Sequence, residues 1–198
     1  SKKVNELYAK HYSNAIDKIW NGDILVLPDN LHIWATMNTS DQSLFPIDSA
    51  FKRRWDWKYI KISDAGMCWQ IKFENEVVKD SDGNENVFVQ DWWAFLEKIN
   101  AIINNITDSA DKQLGYFFCK ADRGIIDAET FVSKVIFYLW SDVFKDYGFD
   151  DPKLFGYKED GKEELRMMTF PDFYDTFGQV NEHIAALFIK NVMSWKTT

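Results

Sequence analysis

No run of about 18 apolar residues occurs in this chain, so nothing reads as a membrane-spanning helix. The first residues, Ser1-Lys2-Lys3-Val4-Asn5-Glu6, lack the apolar core of a secretion signal. Cysteine is scarce: Cys68 and Cys119 lie far apart without metal-type spacing and read as buried thiols of a reducing cytoplasm. The three histidines, His11, His32 and His183, show no paired spacing for a metal or a nucleophile relay, so no metal site is read from the sequence. His32 reads as a core or sheet-face residue. Cations are outnumbered, 23 Lys and Arg against 31 Asp and Glu, and the net charge of −8 argues against this segment gripping phosphate backbones by itself. No internal repeat is present.

Large side chains are plentiful. The 198 residues fit one domain or two small ones. With 46% hydrophobic residues there is ample material for a core, and 17% aromatics with nine Trp favour large buried side chains or an exposed aromatic partner surface.

Residues 4–20 place Leu7, Tyr8, His11, Ala15, Ile16 and Ile19 on one helical face, and Asn21-Gly22 stops that helix. Residues 31–37 read as a strand apolar on both faces, as in a central parallel sheet. Leu44, Ile47 and Phe51 then take helical spacing, with Pro46 acceptable in a first turn. Residues 55–62 read as a second strand. Trp69, Ile71 and Phe73 alternate, Asp80-Ser-Asp-Gly-Asn84 is a turn, and Val87-Phe-Val89 completes a hairpin. Asp91 is placed to cap a helix carrying Trp92, Leu96, Ile99, Ile103 and Ile106. A long helix is predicted over 127–147, closed by Gly148. The polar stretch 150–164 predicts a mobile loop, and 180–195 a last amphipathic helix.

Chemistry concentrates early. The run Leu31-His-Ile-Trp-Ala-Thr-Met-Asn38 ends in a polar amide, and ligands of open α/β sheets bind at the C-terminal ends of strands. Phosphate hydrolysis needs a group that orients water without adding negative charge, and a neutral amide both donates and accepts. Lys52, Arg53 and Arg54 close the next helical segment. A guanidinium stays charged and matches phosphate oxygens, whereas the plainer role for cations at a helix end is to complement its dipole. Asp48 is placed to steady the arginines by pairing. The run Gly156-Tyr-Lys-Glu-Asp-Gly161-Lys162-Glu163 mimics a phosphate loop, but Glu163 stands where a Ser or Thr must bind Mg2+. The acidic stretch Asp80 to Glu85 has Gly83 in the wrong position for a calcium loop.

Met37-Asn38-Thr39-Ser40-Asp41, followed by the basic triplet Lys52-Arg53-Arg54, resembles the second half of an AAA+ nucleotide-hydrolysing core, and most closely the McrB-like family, motor subunits of modified-cytosine restriction systems. Lys52 and Gln42 stand where that family has arginine. The resemblance implies an α/β fold: the C-terminal portion of an AAA+ P-loop NTPase core, with sensor-1 strand, arginine-finger helix and last core strand over 1–64. A β-hairpin insertion over 65–90 and a mainly α-helical lid over 91–198 would follow. It implies Asn38 acting on water and phosphate in cis, Arg53 and Arg54 acting on a neighbouring subunit's terminal phosphate, and Asp41, Gly115 and Tyr116 near the nucleotide. Leu114-Gly115-Tyr116-Phe117-Phe118 falls where the family carries an Ile-Gly-His-Ser-Tyr-Phe element; simple core packing explains it equally.

The implied whole is a ring of six subunits hydrolysing GTP or ATP with Mg2+ in the cytoplasm. It would drive a McrC-like nuclease, with DNA held through other domains. No phosphate loop or acidic metal-binding strand precedes the motif, so the 198 residues alone are expected to bind no nucleotide and to be inactive. The strand over 31–37 would then pair with 24–27, with 55–62 or with another copy. A remodelling ATPase unconnected with restriction and a non-catalytic helical interaction module are the alternatives.

Overall fold

The alternation of Trp69, Ile71 and Phe73 decides the first strand, because residues two apart share a face and these three bury theirs. The computed structural model describes residue 27 and residues 30–36, 48–149, 151–158 and 163–196. The chain falls into two units, Ser1–Thr39 and Ser40–Thr198. Of the first, residues 31–36 are exposed and belong to no strand, with Trp34 93% exposed. The helix read over 4–20 lies outside the described residues.

Within the second unit, β1 (Gln70–Lys79) pairs antiparallel with β2 (Glu85–Asp91) and parallel with β3 (Ile125–Ile126), in the order β2-β1-β3. The ladder runs in register from Gln70↔Asp91 to Phe73↔Phe88, shifts, and resumes at Val77↔Val87. That bulge changes which side chains face inward. Ile71 and Phe73 are buried before it; after it Glu76 is buried and Val78 packs on the core. The hairpin turn is built by Asp80, whose Oδ1 accepts from the backbone N–H of Asp82 and Asn84, both at 2.9 Å.

Asp91 ends β2 and caps α2 (Trp92–Thr107), its Oδ1 accepting from Ala94 N at 2.7 Å. Trp92, Phe95, Leu96, Ile99, Ile102 and Ile103 are fully buried along one face. Each such side chain contributes roughly 1.5–3 kcal/mol of transfer free energy. A 3-10 turn, Ala110–Lys112, follows. Lys112 Nζ donates to Asp142 O at 2.7 Å and Tyr138 Oη to Lys112 O at 3.2 Å, fastening this turn to the next long helix.

That helix starts as α3 (Ala128–Thr130), with Asp127 Oδ1 accepting from Thr130 N at 2.7 Å. It then widens to π geometry over Phe131–Ile136 and Leu139–Val143. Phe131, Val132, Val135, Ile136, Leu139 and Val143 are buried as their spacing predicts, but the helix ends at Val143, short of the predicted Tyr147, which is exposed; the π turns are not visible in a periodicity.

Within the predicted loop over 150–164, residues 152–158 form regular structure. Asp151 caps the short α4 (Pro152–Phe155), and β4 (Gly156–Lys158) pairs antiparallel with β5 (Leu165–Met167). Leu154 and Phe155 are buried, and Asn191 Nδ2 donates to Leu154 O and Gly156 O at 3.0 and 2.9 Å, so tertiary contacts hold residues 154–156. A 3-10 turn, Phe170–Phe173, precedes α5 (Glu182–Ser194), which buries Ile184, Ala185, Ala186, Phe188, Ile189 and Val192. Aromatic rings join these pieces: Trp140 stacks on Phe149 at 3.9 Å and meets Phe155 edge-on at 5.5 Å.

Several expectations need correcting. Neither 31–36 nor 56–62 forms a ladder among the described residues. An apolar strand needs partners for its backbone groups, and among the described residues neither segment is paired in a ladder. His32 accordingly sits in exposed chain and not on a sheet. Cys68 is exposed, in the positive-φ bend before β1, while Cys119 is buried.

Candidate functional site

Arg53 and Arg54 leave a single helical turn, α1 (Ser49–Lys52), which buries none of its residues. Phe51 N and Lys52 N both donate to Asp48 O at 3.0 Å, and Trp57 Nε1 closes the C-terminal end by donating to Lys52 O at 2.8 Å. Phe51 and Trp55 rings lie 5.7 Å apart across the turn. Both arginines are exposed. Arg53 Nε donates to Ser49 O at 3.4 Å, a long bond back to its own turn, and among the described residues Arg54 has no side-chain partner. Asp48 pairs with neither arginine; it begins the turn without a side-chain cap bond, so the steadying role read from its spacing does not hold. Asn38 and Asp41 lie outside the described residues.

The other expected site residues, Gly115 and Tyr116, lie in a loop held by buried hydrogen bonds. Asn100 lies on the buried face of α2; its Nδ2 donates to Leu114 O at 2.9 Å and its Oδ1 accepts from Leu114 N at 2.8 Å. Two residues on, Trp92 Nε1 donates to Tyr116 O at 2.8 Å, and Trp69 N donates to the Tyr116 hydroxyl at 3.3 Å. Tyr116 is buried, its ring packed against Trp69 and Trp93 at 5.2 and 6.3 Å. Gly115 is half-buried, with open space where a Cβ would stand. Phe117 is 67% exposed and leans edge-on against Trp69 at 5.6 Å. The segment thus turns Tyr116 into the core and presents Gly115 and Phe117. No hydrogen bond, ion pair or ring contact joins Arg53 or Arg54 to Gly115 or Tyr116 among the described residues.

Asn100 and Trp92, which position this loop, carry no motif. A polar residue on an otherwise apolar helix face was the available signal, since a buried amide must find partners. Burial also raises the Cys119 thiol to about 11, with the charge of Asp127 adding to it. Among the described residues no group of three His, Cys, Asp or Glu could hold a metal ion, and no helix is long and apolar enough to cross a membrane.

Comparison with known proteins gives one curated relative. The chain is 34% identical over 126 residues to the type II restriction enzyme BsuMI component YdiS of Bacillus subtilis strain 168. The match covers 62% of this chain and 34% of that protein, so the chain is related to a restriction-system component but spans about a third of its length. No protein-family profile matches, and no solved structure matches.

Proposed function

We propose that this chain is the C-terminal portion of a McrB-like AAA+ nucleoside triphosphatase which, as a ring, powers DNA restriction with a nuclease partner. The observation that carries the reading is the sequence from Asn38 to Arg54, with a neutral amide followed by two exposed guanidinium groups. The relative named as a restriction enzyme component supports the restriction context over a remodelling ATPase.

The division of labour follows from the chemistry of the groups. Asn38 would orient the attacking water beside the terminal phosphate of GTP or ATP, donating and accepting without adding negative charge. Arg53 and Arg54 would meet the same phosphate from a neighbouring subunit, where a trans guanidinium is worth about 10³–10⁵ in rate. Arg54 suits that task because it is exposed and uncommitted among the described residues. The described residues offer no ligand cluster for Mg2+.

Complementation in the complete protein tests the split. Asn38→Ala subunits and Arg53→Ala/Arg54→Ala subunits should each lose turnover by about 10³. Mixed together they should regain part of it, because some interfaces then hold an intact amide opposite intact arginines. Unchanged turnover in the arginine variant, or no recovery on mixing, removes the trans mechanism. DNA cleavage that depends on both turnover and the nuclease subunit supports restriction; turnover without it favours the remodeller.

A further inference from the structure

The three-stranded sheet ends on an open strand. β2 pairs with β1 along one side, and among the described residues no strand pairs its other side. In an antiparallel ladder, successive residues alternate between bonding the neighbour and pointing away from it. Both ends of this ladder give the same phase: Trp92 N donates to Trp69 O, and Asp80 N to Asn84 O, each at 3.0 Å. Counting inward from either end, Asn86, Phe88 and Gln90 bond β1, and the N–H and C=O of Glu85, Val87 and Val89 point to the open edge. The side chains of Val87 and Val89 are 39 and 46% exposed, and Val77, opposite Val87, is exposed beside them.

Edge strands are commonly protected by Lys, Pro or a bulge. β2 holds neither Lys nor Pro, and its pairing irregularity consists of extra residues in β1. Its two ends are acidic instead, Glu85 and Asp91, within a stretch over 73–97 that carries seven Asp and Glu and one Lys. That one, Lys79, stands opposite Glu85 in the ladder but forms no ion pair with it. Lys72 is held by Glu74 at 3.1 Å, and Lys190 lies over the inward ring of Phe88. Two copies of β2 pairing antiparallel over all seven residues would set Glu85 against Asp91 at both ends, and like charges directly opposite destabilise a sheet. The same ends favour a strand that brings cations to those two positions.

We propose that the open edge of β2 takes an extended segment of a partner protein as a fourth, antiparallel strand, with apolar residues opposite Val87 and Val89 and Lys or Arg opposite Glu85 and Asp91. Main-chain bonds supply the attachment and the charged ends set the choice of segment. The inference is independent of the proposed nucleotide chemistry.

The probe is a blocked peptide, Lys-Thr-Val-Thr-Val-Thr-Lys, titrated into the full chain by calorimetry and amide NMR. It should bind about tenfold more tightly than the same peptide ended by glutamates, because two cross-strand pairs change sign. N-methylation of its two valines, whose N–H groups would face β2, should abolish binding; N-methylation of its first and last threonines should not. The amides of Val87 and Val89 should gain exchange protection. Glu85→Lys should remove most of the preference for lysine ends. Equal binding of the glutamate or valine-methylated peptide, or no binding, overturns the proposal. Protection of Val87 and Val89 that grows with chain concentration alone would assign the edge to a second copy and overturn it too. The peptide comparisons need no variant and stand even where a substitution unfolds the chain.

Discussion

Asn100 and Leu114 exchange two hydrogen bonds, amide to backbone in both directions, at 2.9 and 2.8 Å. This reciprocal pair makes a buried side chain of α2 the substitute for a strand neighbour. It holds the loop that turns Tyr116 inward and Phe117 outward.

Asn100→Leu should therefore destabilise the chain by about 3 kcal/mol, because the N–H and C=O of Leu114 lose their partners inside the core. Chemical denaturation monitored by circular dichroism measures it. A loss below about 1 kcal/mol would mean that water replaces the amide.

Gly156→Ala should also destabilise, for a steric reason. A Cβ there would stand 2.4 Å from Pro152 O and 3.1 Å from Leu165 Cδ1. The backbone oxygen cannot move away without breaking α4, so a cost of roughly 1–3 kcal/mol is expected in the thermal or denaturant transition.

The two cysteines should separate cleanly in an alkylation time course. Cys68 is exposed, whereas Cys119 is buried with its thiol raised to about 11. At pH 8 iodoacetamide should label Cys68 in the folded chain and leave Cys119 untouched until denaturant is added, since the thiolate is the reacting form. Mass spectrometry of the two tryptic peptides reads the outcome.

Asp80 sets an acid limit on the hairpin. Its carboxyl is held below the ordinary 3.8, first by the Asn84 side-chain amide and then by the Asn84 backbone N–H. A carboxyl lowered in the folded chain binds its proton more readily when unfolded. Its contribution is therefore complete above the ordinary value and is lost as pH falls through the folded one. Protection of the 80–86 amides, taken relative to their intrinsic exchange rates, should fall below about pH 4, and Asp80→Asn should flatten that dependence.

Much of this was legible in the amino-acid order. Asp91 and the apolar face behind it specify α2, and the 80–84 cluster specifies the hairpin turn, because caps and turns act within a few residues. The apolar runs at 31–36 and 56–62 misled for a related reason: a strand pattern states what a segment could pair with, not that a partner is beside it. The exposed arginines followed from their position, while the place of Tyr116 depended on Trp69 and Trp92, which arrive from β1 and α2.

The sequence by itself determined the elements whose period or cap is local: β1, α2, α5 and the turn at Asp80. Only the tertiary structure decided that Glu76, and not Asn75 or Val77, would face inward, since a bulge changes the side of every later residue in the strand. It likewise decided that Glu76 would meet His183, 107 residues away. Local order carries no information about such a meeting, because it depends on the register in which distant elements pack.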